Sequence, residues 1–434
     1  MPEQTWWKNF NDAELNTLVD RAVAANLDLK QADARVRQAR ATAGVAFAPL
    51  LPQSSLTTSA NRDRSRFFTG VDATGSPVLR PVNYNDFKFE FDASWEIDLW
   101  GRVRNGYHAS LEDLAAQEQD RRDVLVSLLA EIARNYTELR GTQLRLQIAK
   151  KDQADEQDIV HLTEVLAKAG LSTERDVAQA KAALDALDAS MPALEASAEV
   201  SVHRLSVLTG QPPDTLRAEL TPAAPLPEAS QSITTGLPSQ LLERRPDIRR
   251  AEAQVRAADL RIGVAKADYF PRLTLIASGG RDGQQLHDLA FGSTNIFGVG
   301  PSVSLPLFNA GSVRSNVELQ RGKAAEAESH YRGLVLNALQ ETEDALSRLA
   351  RERERLSQLE SEADQQSTAL HLSQVQYKAG LADFTTVLTS ERDLHAVEDE
   401  KAQSRVNVTT DMIALYKALG GGWEIAPAAP SRKQ

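Results

Sequence analysis

The sequence predicts a mainly α-helical chain with a membrane β-barrel portion, built from a duplicated unit of helix, strand, strand, long helix and shorter helix. Three observations carry that expectation. First, Lys168-Ala169-Gly170-Leu171 returns 210 positions later as Lys378-Ala379-Gly380-Leu381, and Gly210 and Gly420 keep the same spacing. Upstream, Val36…Gly44-Val45-Ala46…Pro52 matches Val255…Gly263-Val264-Ala265…Pro271 at a spacing of 219. A repeat this long, present twice, reads as duplication of a large structural unit rather than as a solenoid. Second, apolar and polar residues alternate strictly between Phe87 and Leu99. Third, heptad seams of small and branched residues run through most of what remains.

Composition narrows the function classes. A length of 434 residues alone would suggest two or three domains, but the halves share motif order and neither looks complete. Hydrophobic content of 42% and charged content of 25% are ordinary for a folded protein. A net charge of −11 speaks against nucleic acid as a partner, since phosphate binding needs a basic face. The histidines His108, His161, His203, His287, His330, His371 and His395 are scattered without an HExxH pair, and each reads more readily as a surface or packing residue than as a ligand. There is no Walker sequence and no GxGxxG after a strand. Gly420-Gly421-Gly422 follows a helix and reads as a C-cap. No enzyme activity, cofactor or metal is expected. Cysteine is absent, which excludes disulfide and thiolate-metal chemistry within this chain.

No run of eighteen apolar residues offers a transmembrane helix, and Met1-Pro2-Glu3-Gln4 shows neither a basic n-region nor an apolar h-region. Those two features alone would describe a soluble protein. The strands argue otherwise.

The first helical segment carries Leu15, Leu18, Ala22, Ala25, Leu29, Ala32, Val36, Ala39 and Ala43 at alternating three- and four-residue steps. Ile248, Ala251, Val255, Ala258 and Ile262 hold the corresponding places in the second half, with Pro246 near the helix start, where its missing N–H is tolerated. The alanines suit close helix approach around a ring, although an ordinary two-helix hairpin would show the same periodicity. From Phe87 the odd positions are Phe87, Phe89, Phe91, Ala93, Trp95, Ile97 and Leu99, and the even ones Lys88, Glu90, Asp92, Ser94, Glu96 and Asp98. That is a strand with one apolar and one strongly polar face. Phe297, Val299, Pro301, Val303, Leu305 and Leu307 repeat it in the second half.

The strands are placed at about 53–66 and 84–99 in the first repeat and about 272–281 and 296–307 in the second, with loops at about 67–83 and 282–295. Thirteen residues at roughly 3.3 Å each reach about 43 Å, enough to cross a hydrocarbon layer of about 30 Å when tilted by about 40°. The charges would face a water-filled lumen and the aromatic residues lipid, with Trp95 and Trp100 suited to an interfacial belt. Four strands cannot enclose such a lumen, so oligomerisation is implied.

Long helices follow at about 102–166 and 311–377, the first with its seam on Leu125, Leu129, Ile132, Tyr136, Leu139 and Leu146, the second on Tyr331, Leu334, Leu346, Leu349 and Leu356. Sixty-odd residues at 1.5 Å make roughly 100 Å of rod. Each rod ends at a Lys-Ala-Gly-Leu reversal, and shorter helices return at about 173–209 and 384–419. The repeats thus span 6–210 and 239–423. Between them, 211–238 forms a connector rich in proline (Pro212, Pro213, Pro222, Pro225, Pro227, Pro238), and 424–434 is expected to be a disordered tail.

Several segments together resemble one family. They are Trp6-Trp7…Phe10…Leu15, Trp95-Glu96-Ile97-Asp98-Leu99-Trp100-Gly101-Arg102, Leu241-Leu242-Glu243-Arg244-Arg245-Pro246-Asp247-Ile248 through Ala251-Glu252-Ala253, Ile262-Gly263-Val264-Ala265-Lys266-Ala267-Asp268-Tyr269-Phe270-Pro271, and Leu415-Tyr416-Lys417-Ala418-Leu419-Gly420-Gly421-Gly422-Trp423. They are similar to the TolC-like outer-membrane efflux proteins, nearest the NodT-type lipoprotein subfamily that serves resistance-nodulation-division pumps. The resemblance covers about residues 6–423.

It implies a homotrimer whose twelve strands form one outer-membrane β-barrel, continued by a long α-helical barrel in the periplasm, with the proline-rich connector at its equator. It also implies docking to a periplasmic adaptor (membrane-fusion) protein and to an inner-membrane proton-driven transporter. Members of the subfamily usually begin with a signal peptide ending at an acylated cysteine, so this sequence is read as a mature form lacking that anchor. The implied function is a passive conduit from periplasm to exterior for small molecules, gated at the periplasmic helix tips. A conduit for one-step (type I) protein secretion and, in a different class, a soluble coiled-coil scaffold are the alternatives.

By the same resemblance Asp176 matches a family acidic lock position in the first repeat, and Tyr377 a tyrosine partner in the second. Family members often add an arginine where this chain has Ala382, and aspartates where it has Thr386 and Thr389, which speaks against a cation-binding carboxylate ring. Arg392 matches a basic position near the aperture in some relatives. The alternative is that Asp176 and Arg392 are solvated helix charges. Lys168, Gly170, Leu171, Lys378, Gly380 and Leu381 are the implied adaptor-contact tips.

Overall fold

The computed structural model describes residues 5–228, 244–291 and 295–421. Its elements are α1 (Ala13–Ala25), α2 (Leu27–Phe47), β1 (Gln53–Val71), β2 (Pro77–Ile97), α3 (Arg102–Lys168), α4 (Glu174–Leu208), α5 (Pro246–Ala267), β3 (Arg272–Gly283), β4 (Asn295–Ser304), α6 (Ser312–Lys378) and α7 (Phe384–Ala418). Helices α3 and α6 each have 67 residues, and α4 and α7 each have 35. The chain divides into two compact units that cut across the sequence halves. Among the described residues, one comprises those up to Ala34, those within Glu118–Arg250 and those from Arg332 on; the other comprises those within Arg35–Gln117 and Ala251–Tyr331.

The second unit holds one antiparallel sheet in the order β1-β2-β3-β4. Several of the expected strand boundaries are wrong. The stretch 67–83, expected as a loop, is mostly strand: β1 runs on to Val71, β2 begins at Pro77, and only a short turn separates them. That turn closes on Asp72, whose Oδ1 accepts from the N–H of Thr74 (2.9 Å) and of Ser76 (3.0 Å), with Gly75 at φ +81°. Strand β4 stops at Ser304 rather than 307, just ahead of Pro306, which has no N–H for a ladder. The expected loop at 282–295 includes 292–294, which lie outside the described residues.

Phe89 and Phe91 on β2 are exposed, whereas Lys88, Glu90 and Asp92 on the opposite face are half-covered. Leu56, Phe297, Val299 and Val303 extend the exposed apolar surface. A water-soluble sheet would bury such a face. The sheet order also leaves the outer edges of β1 and β4 unpaired among the described residues.

The strand exit explains the family-like segment Trp95–Arg102. Trp95 Nε1 donates to Leu50 O (3.1 Å), and Trp100 Nε1 donates to Pro271 O (2.9 Å) while its ring stacks on Phe270 at 4.5 Å. Glu96 pairs with Arg102, and Asp98 Oδ2 accepts from the N–H of Arg104 (2.8 Å), satisfying one of the free donors at the start of α3. These residues fasten a strand to a helix.

The first unit is helical, with its core on Trp6, Trp7, Phe10, Leu15, Leu18, Leu125, Leu129, Ile132, Tyr136, Leu139, Leu205, Ile413 and Tyr416. Trp6 lies flat on Tyr416, 5.1 Å between centroids. Leu216 and Leu220, from the described part of the connector, are buried in the same core. The expected seam of α6 is only partly right. Leu349 is buried, but its buried neighbours along the helix are Ala338, Thr342, Ala345, Leu359 and Ala363, and Tyr331, Leu334, Leu346 and Leu356 are half-buried. The first heptad seam holds its register but not its continuity. The helix breaks at Asn26, whose Oδ1 caps α2 through the N–H of Leu29 (2.9 Å).

Asn26 also reveals the repeat at the level of single bonds. Its Nδ2 donates to Leu208 O (2.9 Å) at the end of α4. Arg245, 219 positions later, donates to Ala418 O (3.2 Å) at the end of α7, itself 210 positions beyond Leu208. In both repeats the segment that opens the unit therefore satisfies a free carbonyl at its closing helix. Four helices end in the same αL turn, with Gly170, Gly210, Gly380 and Gly420 at φ +73°, +73°, +71° and +69°. In each, the glycine N–H bonds three residues back and the next N–H bonds five back, the Schellman pattern.

Helices α3 and α7 approach closely at Gly141, where a built Cβ would lie 2.1 Å from Val406 Cγ2. Gly141→Ala is expected to cost about 1–3 kcal/mol by overpacking, measured as a lower denaturation midpoint. Gly141→Ala combined with Val406→Ala should recover part of that loss.

Candidate functional site

The two Lys-Ala-Gly-Leu turns share a backbone and differ in their caps. Lys168 and Lys378 are exposed in the last turns of α3 and α6, where a cation offsets the partial negative charge of the helix end. Gly170 and Gly380 make the reversal, and Leu171 and Leu381 stand out at 75% and 79% exposure. Apolar side chains so exposed at a turn are available to a partner.

Helix α4 then starts with a full capping box. Thr173 Oγ1 accepts from the N–H of Asp176 (3.3 Å), and Asp176 Oδ2 accepts from Thr173 N (2.9 Å), Thr173 Oγ1 (2.8 Å) and Ser172 Oγ (3.0 Å). Helix α7 has Asp383 at the matching position with no side-chain capping bond, and Thr386 where Asp176 stands. Thr173→Ala should cost about 1 kcal/mol of local stability and Asp383→Ala only a few tenths. Hydrogen exchange at the first-turn amides of α4 and α7 measures both.

The backbone N–H of Thr173, then its hydroxyl, hold the Asp176 carboxyl below its ordinary range. A depressed folded-state value means this cap contributes above the ordinary aspartate range and is lost as pH falls through the lowered value. Burial, then the charge of Asp176, push the Tyr377 phenol above its usual value. The structure thus brings Asp176 and Tyr377 within electrostatic reach, while the donors to the carboxylate are Thr173 and Ser172. The Tyr377 ring packs on Phe384 (5.7 Å), and both line a cavity of about 160 Å³ with Ile159, Leu162, Thr163 and Val387.

Thr386, Thr389 and Arg392 follow one another at three-residue steps on α7. Thr389 Oγ1 donates to its own helix at Thr385 O (2.8 Å), Thr386 is exposed, and Arg392 donates to Asp393 (3.4 Å) with its side chain largely in solvent. Thr389 and Arg392 line a groove of about 520 Å³ with Glu156 of α3 and Gln179 of α4, whereas Thr386 lines neither cavity.

Sequence reasoning missed the groups behind this groove. Asp152 and Glu156 on α3 and Glu391 on α7 are buried carboxylates. They were findable, because Ala149, Asp152, Glu156, Ile159 and Thr163 keep a three-four rhythm, as do Phe384, Val387, Glu391 and Leu394. A search for apolar heptads alone passes over acids on a seam.

Comparison with known proteins bears on what these turns and sheet belong to. The family model for outer membrane efflux protein matches residues 18–211 and 237–421. The chain is 34% identical over 433 residues to the pyoverdine export outer membrane protein OpmQ of Pseudomonas aeruginosa, covering 99% of this chain and 89% of that protein. It is 28% identical over 436 residues to nodulation protein T of Rhizobium leguminosarum bv. viciae, covering 99% and 86%. Among solved structures, the outer-membrane channel OprN superposes with a TM-score of 0.91 at 35% identity, covering 97% of this chain and 93% of that one. The exposed apolar sheet, the paired helical turns and these likenesses agree: this chain belongs to the outer membrane efflux protein family and is an outer-membrane efflux channel.

Proposed function

We infer that three copies of this chain form the outer-membrane duct of a tripartite efflux system. The observation that carries this reading is the four-stranded sheet with an exposed apolar face and two unpaired edges. Unpaired edges are untenable in lipid, and closure of β1 of one copy on β4 of the next removes them. Three copies give twelve strands, with Lys88, Glu90 and Asp92 toward a wet lumen and Phe89 and Phe91 toward lipid.

The duct is a passive conduit for small molecules, energised by an inner-membrane transporter of the resistance-nodulation-division class and joined to it by a periplasmic adaptor at Leu171 and Leu381. That OpmQ is named for pyoverdine export favours small-molecule over protein cargo. Asp176 and Tyr377 act as a lock at the turns, and Thr389 and Arg392 border the aperture. A soluble coiled-coil scaffold fits poorly, because it would bury the Phe89–Phe91 face.

Mass measurement of detergent-solubilised protein tests the assembly, each chain contributing 47.5 kDa. A trimer that retains bound lipid is the expected species. A monodisperse monomer that is stable in water without detergent would overturn the reading.

A further inference from the structure

We propose that Glu156 and Glu391 form a proton-binding site between α3 and α7 that makes the packing of these helices below the turns depend on pH. Glu156 is 2% exposed and Glu391 4%, and both occupy seam positions that would ordinarily be apolar. Glu156 Oε1 and Glu391 Oε2 are enclosed without a hydrogen-bond partner, as is Gln179 Oε1 on α4. Three enclosed acceptors, one each on α3, α4 and α7, lack a donor, and a proton on either carboxyl supplies one.

The surrounding charges do not compensate. Glu391 feels Glu156, Asp155 and Asp152 from α3, all of its own sign. Asp152 feels Glu398 and Asp399 from α7 and Asp155 on its own helix, opposed by Lys151. His395 of α7 lies 3.5 Å from Asp152, and burial holds its imidazole toward the neutral form. Arg392, the α7 cation bordering the groove, is turned to Asp393. From α4 the groove receives Gln179, Ala183, Ala186, Leu187 and Ser190, none charged.

Burial raises Glu156 to about 7, and burial together with the neighbouring acids raises Glu391 to about 7. A carboxyl raised in the packed state binds more protons there than when the helices separate. Its contribution is therefore complete below the ordinary glutamate range, declines above about 4.5, and is lost as pH rises through about 7. Acid tightens this seam, and mild alkali loads it with two unpaired charges. The dependence is opposite in sign to that of the Asp176 cap, and it concerns packing alone, so it stands whether or not the turns gate conduction.

Hydrogen exchange of the full-length protein in lipid nanodiscs at about pH 5.5 and about pH 8.0 tests the proposal, after correction for the intrinsic pH dependence of exchange. Peptides covering 149–163 and 384–397 should exchange about tenfold faster at the higher pH, while the core peptide 125–139 should not change. Glu156→Gln with Glu391→Gln should bring that ratio close to one, because an amide cannot ionise. A flat ratio in the unaltered protein overturns the proposal, as does a ratio that survives both substitutions. Should the double variant fail to assemble, Glu391→Gln alone must lower the ratio, and an unaltered ratio there overturns the proposal equally.

Discussion

Arg140→Ala should destabilise the helical unit by about 3–5 kcal/mol, the usual cost of removing one partner from a buried ionic network. Arg140 is 1% exposed. Its guanidinium donates to Gln143 Oε1 (2.7 Å) and Pro222 O (2.8 Å), pairs with Glu14, and lies 4.9 Å above the Tyr136 ring. Tyr136 in turn donates to Asp12 (2.8 Å), the residue whose other oxygen caps α1 through the N–H of Leu15 (2.9 Å). One side chain thus ties α3, the start of α1 and the connector together. Its loss orphans acceptors on all three, and buried acceptors without donors are expensive. Denaturant unfolding followed by the fluorescence of Trp6 and Trp7, both in this core, reads the change. Arg140→Lys should restore little, since an ammonium cannot reproduce the fork. A loss below about 1 kcal/mol would mean that the network is incidental to the fold.

The second large effect concerns conduction. If the proposed lock operates, Tyr377→Phe and Asp176→Ala should each raise the open probability of the resting channel about tenfold or more, since a hydroxyl-to-carboxylate bond formed in the closed assembly would contribute about 1.5–3 kcal/mol. The two substitutions differ usefully. Asp176→Ala also removes the capping box, whereas Tyr377→Phe leaves Thr173 and Ser172 on the carboxylate undisturbed. Thr173→Ala separates cap from lock, because it weakens the helix start and keeps both lock partners. If Thr173→Ala opens the channel as much as Asp176→Ala while Tyr377→Phe does nothing, the carboxylate serves the helix end and there is no lock.

Much of this architecture was legible because period and punctuation say the same thing at each step. The heptad on Leu125, Leu129, Ile132, Tyr136 and Leu139 is buried, with only its last member Leu146 half-buried, and both Lys-Ala-Gly-Leu turns adopt the reversal their glycines permit. The strand ends were less legible. The polar, Gly-containing stretch 67–83 reads as loop, yet Phe67 pairs with Arg80 and Phe68 with Leu79, because ladder bonds are made by backbone and need no apolar alternation. The break at Asn26 was hidden because the seam from Leu18 to Leu29 keeps its register across it.

At the turns, Asp176 and Tyr377 lie within electrostatic reach of one another, but the sequence could not show that Asp176 is already engaged by its own helix start. The buried acids at 152, 156 and 391 escaped notice for a different reason. A charged residue in a heptad position is assumed to be on the surface unless the opposing helix is known, and the influence of Glu156 on Glu391 arises only in three dimensions. At the turns the asymmetry of the repeats is chemical rather than geometric: equal helix lengths and equal glycine turns carry Thr173 and Asp176 in one copy, Asp383 and Thr386 in the other.

Single-channel recording of the purified protein in a planar bilayer tests the central claim most directly. A trimeric, water-filled duct predicts discrete, voltage-stable conductance steps from detergent-extracted trimer, small at rest and enlarged in Tyr377→Phe. Protein that remains trimeric yet never conducts, in the unaltered form or in either lock variant, would contradict it.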